Sequence, residues 1–150
     1  MTPSHHTILL VEDDENDVLL MKRAFQKANI LNPIQVVGDG ESALSYLGNQ
    51  QMYADRNKYP MPVLILLDLK LPRKSGLEVL AWVKGQESLK RVPVVVLTSS
   101  KESVDVGRAY DLSVNSYLVK PVEFDDLLHM VKTLNMYWLI LNEKPSVDFS

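Results

Sequence analysis

The chain contains no cysteine among its 150 residues. This absence excludes disulfide bonds, thiolate zinc sites and cysteine nucleophiles, and it is compatible with a reducing compartment. No apolar run approaches the roughly 18 residues that a membrane-spanning helix needs. The first 14 residues also lack the basic segment and long apolar core of a secretory signal. We therefore expect a cytoplasmic protein that does not enter a membrane.

Positive charge is in the minority, with 16 Lys and Arg against 19 Asp and Glu and a formal net charge of −3. A protein that binds a nucleic-acid backbone normally presents a basic face, so we expect no nucleic-acid partner. Only 6 Gly and 8 Pro accompany a hydrophobic content of 46%. This composition is typical of one globular domain rather than a disordered chain. We expect a single domain over residues 1–150, with a loose tail at 142–150.

Apolar runs of strand length alternate with segments of helix length. The runs occupy residues 8–11, 34–37, 63–67, 92–97 and 117–119. Apolar spacing predicts helices over residues 15–28, 42–47, 76–84, 103–110 and 124–141. Residues 48–62 have no such periodicity and are interpreted as a surface loop with at most one helical turn. The alternation predicts an α/β fold with a parallel sheet, and the continuous apolar runs predict that both sheet faces are covered.

Polar side chains follow four of the predicted strands. They are Glu12, Asp13 and Asp14 after the first run, Asp68 after the third, Thr98 and Ser99 after the fourth, and Lys120 after the fifth. Ligands of open parallel sheets bind at the carboxyl ends of the strands, so these side chains should surround one crevice. Clustered carboxylates without His or Cys suit Mg²⁺ or Mn²⁺. A lysine and a hydroxyl opposite the cation would suit a tetrahedral dianion, which favours phosphoryl transfer.

Each of these residues also has an ordinary structural interpretation. An acid or a hydroxyl after a strand is often a helix N-cap, and a single lysine is usually a solvated surface residue. Capping is the role we assign to Asp14. A shared site is nevertheless favoured, because four separate strand ends would otherwise carry complementary groups by chance.

Together the four strand ends resemble the receiver domains of two-component response regulators, of the chemotaxis-regulator type. The resemblance covers about residues 7–141 and rests on four segments in a fixed order. The segments are ILLVEDD at 8–14, LLDLKLP at 66–72 with Gly76, PVVVLTS at 93–99, and YLVKP at 117–121. It implies a doubly wound, flavodoxin-like fold whose five-stranded parallel sheet has the order 2-1-3-4-5 and is flanked by five helices.

The resemblance implies that Asp68 accepts a phosphoryl group from a histidine kinase or a phosphotransfer protein and becomes an acyl phosphate. Asp13 and Asp68 would bind Mg²⁺ through their carboxylates. The backbone carbonyl of Lys70 would be a third protein ligand, and Glu12 would assist through water. Lys70 is itself a departure from the pattern, and its side chain would alter the hydrolysis of the acyl phosphate.

The same resemblance implies how the site would report phosphorylation. Thr98 and Lys120 would each contact a phosphoryl oxygen, and the peptide bond between Lys120 and Pro121 would be cis. Tyr117 would be the switch aromatic, whose rotamer follows Thr98. Phosphorylation would then act by drawing the hydroxyl and the ammonium group inward towards the added charge.

Three further features resemble a narrower group, the small regulators paired with phytochrome kinases of cyanobacteria and other bacteria. They are the loop at 48–62, the sequence at 71–76, and the extended last helix with Tyr137 and Trp138. Only 150 − 121 = 29 residues follow Pro121, so we expect no output domain. The last helix also carries apolar residues beyond its core stripe, namely Leu128, Met136, Tyr137, Leu139 and Ile140. We hypothesise a homodimer through this end, the alternative being that these residues cover the sheet edge.

Three other functions compete with this interpretation. A phosphohydrolase of the haloacid dehalogenase type would need a second aspartate at position 70, where Lys70 stands, so we do not expect an enzyme. A phosphate-independent scaffold would usually lack Asp68 or Lys120, and both are present. Flavodoxin-like nucleotide binding needs a phosphate loop after the first strand, and acids at that place would repel a phosphate.

Overall fold

The computed structural model describes residues 6–69, 71–98, 116–119 and 124–134, without the side chains at 97, 98, 116–119, 126, 130 and 134. The strands are β1 (Ile8–Val11), β2 (Ile34–Val37), β3 (Leu64–Asp68), β4 (Val94–Thr98) and β5 (Ser116–Val119). The helices are α1 (Glu15–Lys27), α2 (Gly40–Leu47), α3 (Gly76–Lys84) and α4 (Phe124–Leu134), with one 3-10 turn at Gln51–Tyr53. All five strands form one parallel sheet in the order β2-β1-β3-β4-β5, which confirms the expected topology.

Some predicted boundaries were wrong by one or two residues. Both β3 and β4 start later than predicted and extend through Asp68 and Thr98. Polar residues can continue a β-strand because the hydrogen bonds between strands are made by the backbone and not by the side chains. Helix α2 begins two residues earlier than predicted, at Gly40. The predicted helix at 103–110, and residues 135–141 of the last one, lie outside the described residues.

Two hydrophobic cores cover the two faces of the sheet, as the continuous apolar runs predicted. Alternate strand residues project to opposite faces. Those facing α2 and α3 are Leu9, Val11, Val37, Ile65, Leu67, Val94 and Val96. Those facing α1 and α4 are Ile8, Leu10, Leu64, Leu66 and Val95. Because the central strands are packed from both sides, the backbone at their carboxyl ends is held firmly in place.

Short polar side chains start three of the helices. The Asp14 carboxylate accepts hydrogen bonds from the backbone of Asn16 at 2.8 Å and of Asp17 at 3.3 Å, which confirms its predicted capping role. Asp39 caps α2, and Ser75 caps α3. Such caps satisfy backbone N–H groups that have no partner within the helix. The cap at Asp39 explains why α2 starts earlier than its apolar pattern suggested.

The loop at residues 48–62 is packed around aromatic rings rather than exposed throughout. The Tyr46 ring is buried and lies 5.2 Å from the Tyr53 ring and 5.8 Å from the Tyr59 ring, centroid to centroid. The Tyr46 hydroxyl donates to the Pro60 carbonyl at 2.8 Å. Burial is the main cause that raises the pKa of Tyr46 to about 12.

Arg56 fastens this loop to the end of α2. Its guanidinium donates to the carbonyl oxygens of Tyr46 at 3.0 Å and Leu47 at 3.1 Å, both in the last turn of the helix. It also donates to Tyr59 at 3.0 Å. A cation at a helix C-terminus satisfies free carbonyls and interacts favourably with the helix dipole. Beside it, the Gln35 side chain of the edge strand β2 donates to the Lys58 carbonyl at 3.3 Å, so the loop also contacts the sheet edge.

The raised pKa of Tyr46 makes stability depend on pH in alkali. An unfolded tyrosine ionises near 10.0, whereas folded Tyr46 ionises near 12. The stabilisation is therefore complete below pH 10 and is lost as the pH rises towards 12. Between pH 9 and 11 the native chain should lose about 1.4 kcal/mol of unfolding free energy more than Tyr46→Phe. Urea unfolding at both pH values measures the difference. Equal losses in the native chain and Tyr46→Phe would contradict the assignment.

Candidate functional site

The register of the sheet brings the polar strand ends to one edge. Val11 of β1 pairs with Leu67 of β3. The residues that follow them, Glu12 and Asp68, therefore occupy neighbouring positions. Asp68 is the partner of Leu97, and Thr98 is the partner of Val119. The carboxyl edge thus carries the acid that ends β3 and the acid that directly follows β1, with the backbone of Thr98 nearby.

Three carboxylates form a compact cluster at this edge. One oxygen each from Glu12, Asp13 and Asp68 lies within 4.8 Å of the others. Glu12 is 4% exposed and Asp68 7% exposed, whereas Asp13 is exposed to solvent. The Glu12 backbone N–H donates to Val37 at 3.0 Å, and its carboxylate accepts from the Asp14 backbone at 3.2 Å. The cluster is therefore anchored at its buried side and open on the side of Asp13.

The cluster fits a divalent cation of the Mg²⁺ or Mn²⁺ type. Carboxylates packed this closely repel one another, and a cation bound between them removes the repulsion. Oxygen ligands from acidic side chains are the donors that these hard ions prefer, and the described side chains of the cluster include neither thiolate nor imidazole. Glu12, Asp13 and Asp68 could therefore hold such an ion, with water at the remaining positions.

A glycine allows α3 to start directly against the end of β3. A Cβ atom at Gly76 would meet the carbonyl oxygen of Asp68 and would lie 2.6 Å from the Cα atom of Leu69. The Gly76 N–H also donates to the Leu69 carbonyl at 2.9 Å. In the sequence, Gly76 stands out only as a member of the motif that follows Asp68. Its close approach to Asp68 had no signal in composition or periodicity.

The structure describes part of the predicted site. It brings together Glu12, Asp13 and Asp68. It places the backbone of Thr98 at the carboxyl end of β4 and that of Tyr117 at the second position of β5, where it pairs with Val96. The side chains of those two residues lie outside the described part, as do Lys70, Lys120 and Pro121, including the expected cis peptide bond.

The profile of the response regulator receiver domain matches residues 8–132 of the chain. The chain belongs to the response regulator receiver family. The matched span contains the three clustered acids and all five strands. Receiver domains of response regulators are in general signalling proteins that bind a divalent metal. The flavodoxin-like fold expected from the resemblance is confirmed.

Two curated relatives cover most of the chain. Response regulator Rcp1 of Synechocystis sp. is 43% identical over 132 residues, which are 88% of this chain and 88% of Rcp1. The probable methanogenesis regulatory protein FilR2 of Methanothrix harundinacea is 42% identical over 138 residues, 92% of this chain and 86% of FilR2. The chain is thus similar over nearly full length to two regulators, one of which, FilR2, is named for methanogenesis.

Solved structures give the same picture. The phosphorylated cyanobacterial phytochrome response regulator RcpA aligns with a TM-score of 0.83 and 41% identity, covering 90% of this chain and 94% of RcpA. The Mn²⁺-bound form of Rcp1 aligns with a TM-score of 0.80 and 42% identity, covering 89% and 94%. The resemblance to phytochrome-associated regulators is therefore confirmed. Across residues 6–69, 71–98, 116–119 and 124–134, the structure shows no helix long and apolar enough to span a membrane.

Mg²⁺ should stabilise the native chain through the acidic cluster. At ten times its dissociation constant, a ligand that binds only the folded state adds about 1.4 kcal/mol to the unfolding free energy. Asp13→Asn should lose most of this gain, and without Mg²⁺ it should be more stable than the native chain because one repulsion is gone. Urea unfolding with and without Mg²⁺ measures both effects. Glu15→Gln, an exposed acid outside the cluster, is the control and should retain the gain; an equal loss in both variants would contradict the site.

Proposed function

We propose that this chain is a single-domain response regulator that accepts a phosphoryl group on Asp68. The observation that carries the proposal is the position of that carboxylate. It ends a central strand, is 7% exposed, and lies with Glu12 and Asp13 in a cluster that fits a divalent cation. The receiver family supplies the kind of reaction, and this geometry supports Asp68 as the acceptor. The donor is a sensor histidine kinase or a phosphotransfer protein.

In the proposed reaction, a carboxylate oxygen of Asp68 attacks the phosphorus of a phosphohistidine. The new O–P bond forms as the P–N bond breaks, and the electron pair of that bond stays on the imidazole, which takes up a proton. The product is an acyl phosphate on Asp68. A cation bound by Glu12, Asp13 and Asp68 supplies positive charge that offsets the charge of the carboxylates and of the phosphoryl oxygens. Burial of Asp68 keeps its oxygen in a fixed position for attack.

The remaining predicted residues receive roles in the same proposal. Thr98 hydrogen-bonds one phosphoryl oxygen, and Lys120 pairs with another. The register supports this assignment, since the Thr98 backbone lies one residue beyond the partner of Asp68. Tyr117 follows the movement of Thr98, and the Lys70 backbone carbonyl would be a further protein ligand of the metal, with water at the remaining positions. The signal then leaves as a change in the protein-interaction surface, without catalysis on an external substrate.

We further propose that the kinase is a phytochrome and that the protein works in the cytoplasm. The likeness to Rcp1 and to the cyanobacterial phytochrome response regulator RcpA supports a phytochrome. FilR2 is similar to nearly the same degree, so a kinase of another sensory class is the competing partner. No nucleic-acid or membrane partner is proposed. Similar coverage of this chain and of these relatives supports a single domain over residues 1–150.

A phosphate-independent scaffold is the alternative function, followed by a Mg²⁺-dependent phosphohydrolase. The scaffold would not need the acidic cluster, whose three carboxylates repel one another unless a cation is bound. The hydrolase would need a general acid two residues after Asp68, and Lys70 is not one. Both alternatives predict that no phosphoryl group accumulates on Asp68.

Intact mass spectrometry after incubation with Mg²⁺ and acetyl phosphate tests the proposed acceptor. We expect the native chain to gain one phosphoryl group, because Asp68 can displace acetate from this donor. Asp68→Asn should gain none, since an amide oxygen is a poor nucleophile, and omission of Mg²⁺ should prevent the gain. Asp125→Asn, an exposed acid on α4, is the control and should behave as the native chain does. Equal labelling of Asp68→Asn would exclude Asp68 as the acceptor.

We propose a homodimer through the carboxyl-terminal end of the fold, as the apolar excess of the last helix suggested. Of the apolar residues beyond the core stripe of this helix, Leu128 is half-buried in α4. The others lie outside the described residues: Met136, Tyr137, Leu139 and Ile140. Sedimentation equilibrium at micromolar concentrations, with and without phosphodonor, should detect a dimer that Leu128→Lys weakens. Leu19→Lys, at an exposed leucine on α1, is the control. A monomer under both conditions would refute the dimer.

A further inference from the structure

The loop after β3, residues 71–75, lies against the start of α2. The Pro72 carbonyl accepts hydrogen bonds from the Gly40 backbone at 3.3 Å and from the Lys74 backbone at 2.8 Å. One carbonyl therefore holds the tight turn of the loop and connects it to the first residue of α2. This contact joins two segments that are about 30 residues apart in sequence.

Gly40 has no space for a side chain at this contact. A Cβ atom built there would meet the carbonyl oxygen of Lys74 and would lie 2.6 Å from both the carbonyl carbon and the Cβ atom of Lys74. Two of these atoms belong to the backbone, so no rotamer change can make room. An added methyl group would have to move the loop away from α2 or move α2 away from the loop. Gly38, two residues earlier, has nothing within 4 Å of the same hypothetical atom.

Arg73 shows that the turn is held in place by its surroundings. Its φ angle is +69°, in the left-handed region that residues other than glycine rarely adopt. Its guanidinium lies 3.6 Å from the Glu41 carboxylate, on the residue after Gly40. Such a conformation persists where neighbouring contacts favour it, and the contacts here come from α2.

The other end of the same connection is fixed to the phosphoacceptor strand. Gly76 donates to Leu69 and packs against the Asp68 carbonyl. The connection between β3 and α3 is thus fastened to α2 in its middle and to the Asp68 backbone at its end. A displacement at Gly40 would be transmitted to the backbone that carries the Asp68 carboxylate.

We propose that Gly40 is a positioning residue for phosphorylation, because its missing side chain lets α2 hold the β3–α3 loop, and with it Asp68, in the geometry that binds the cation. The inference rests on the proposed function of Asp68. Gly40 is not a member of the acidic cluster, and it would act on that cluster only through the loop. Binding of the cation and the phosphorylation that needs it should therefore weaken when this contact is enlarged, while the fold is retained.

Gly40→Ala and Gly38→Ala form a matched pair for the test, since both add one methyl group to neighbouring glycines. Mn²⁺ affinity is measured from the electron paramagnetic resonance signal of the free ion. Phosphorylation by acetyl phosphate is followed by intact mass across a series of Mn²⁺ concentrations. Circular dichroism and urea unfolding establish that each variant is folded.

We expect Gly40→Ala to bind Mn²⁺ about tenfold more weakly than the native chain, and Gly38→Ala to bind it equally well. The Mn²⁺ concentration for half-maximal phosphorylation should rise by a similar factor. A substitution that only lowered stability would leave the dissociation constant of the folded protein unchanged. Native-like Mn²⁺ binding by folded Gly40→Ala would overturn the inference.

A second pair decides the question if Gly40→Ala does not fold. Glu41→Gln removes the ion pair to Arg73, whereas Glu87→Gln removes a similar exposed pair, to Lys90, elsewhere. Glu41→Gln should weaken Mn²⁺ binding about twofold, whereas Glu87→Gln should leave it unchanged. Equal Mn²⁺ affinities of the two variants would overturn the inference. A native chain that neither binds Mn²⁺ nor gains a phosphoryl group would instead overturn the proposed function, and with it this inference.

Discussion

The repulsion between three carboxylates is the interaction around which the structure is organised. Two unit charges about 4 Å apart repel by about 4 kcal/mol at the effective dielectric constant near a protein surface. Glu12, Asp13 and Asp68 nevertheless share a space in which their oxygens lie within 4.8 Å. The two apolar cores hold this arrangement, because they fix β1 and β3 from both faces. The fold thus keeps three carboxylates together at a site whose repulsion a bound cation would relieve.

The consecutive acids Glu12, Asp13 and Asp14 show how one short segment serves two purposes. Glu12 is buried and directed to the cluster, and Asp13 is exposed at its open side. Asp14 is not part of the cluster and caps α1, where its charge also interacts favourably with the helix dipole. Three identical charges on adjacent residues are therefore tolerated because the chain turns from a strand into a helix between them.

The topology and the acidic cluster could be predicted from the sequence because both follow from local patterns. Continuous apolar runs identify buried parallel strands, and acids directly after those runs must lie at the carboxyl edge. The close approaches of Gly40 and Gly76 could not be predicted in this way. They depend on distances between segments far apart in sequence. The packing of Tyr46 with Arg56 was missed for a related reason, since the loop at 48–62 has no periodicity and is ordered by tertiary contacts.

The contact between this loop and β2 has a consequence for solubility. An edge strand presents free N–H and C=O groups on which a strand from another molecule can add, which is a common route to aggregation. Near β2 the chain places Lys58, whose carbonyl accepts from Gln35, and Arg56, which anchors the same loop to α2. An incoming strand would have to displace this fastened and positively charged segment. Loss of the Arg56 anchor would therefore release a segment that lies beside the edge strand, while the acidic cluster at the carboxyl edge stayed intact.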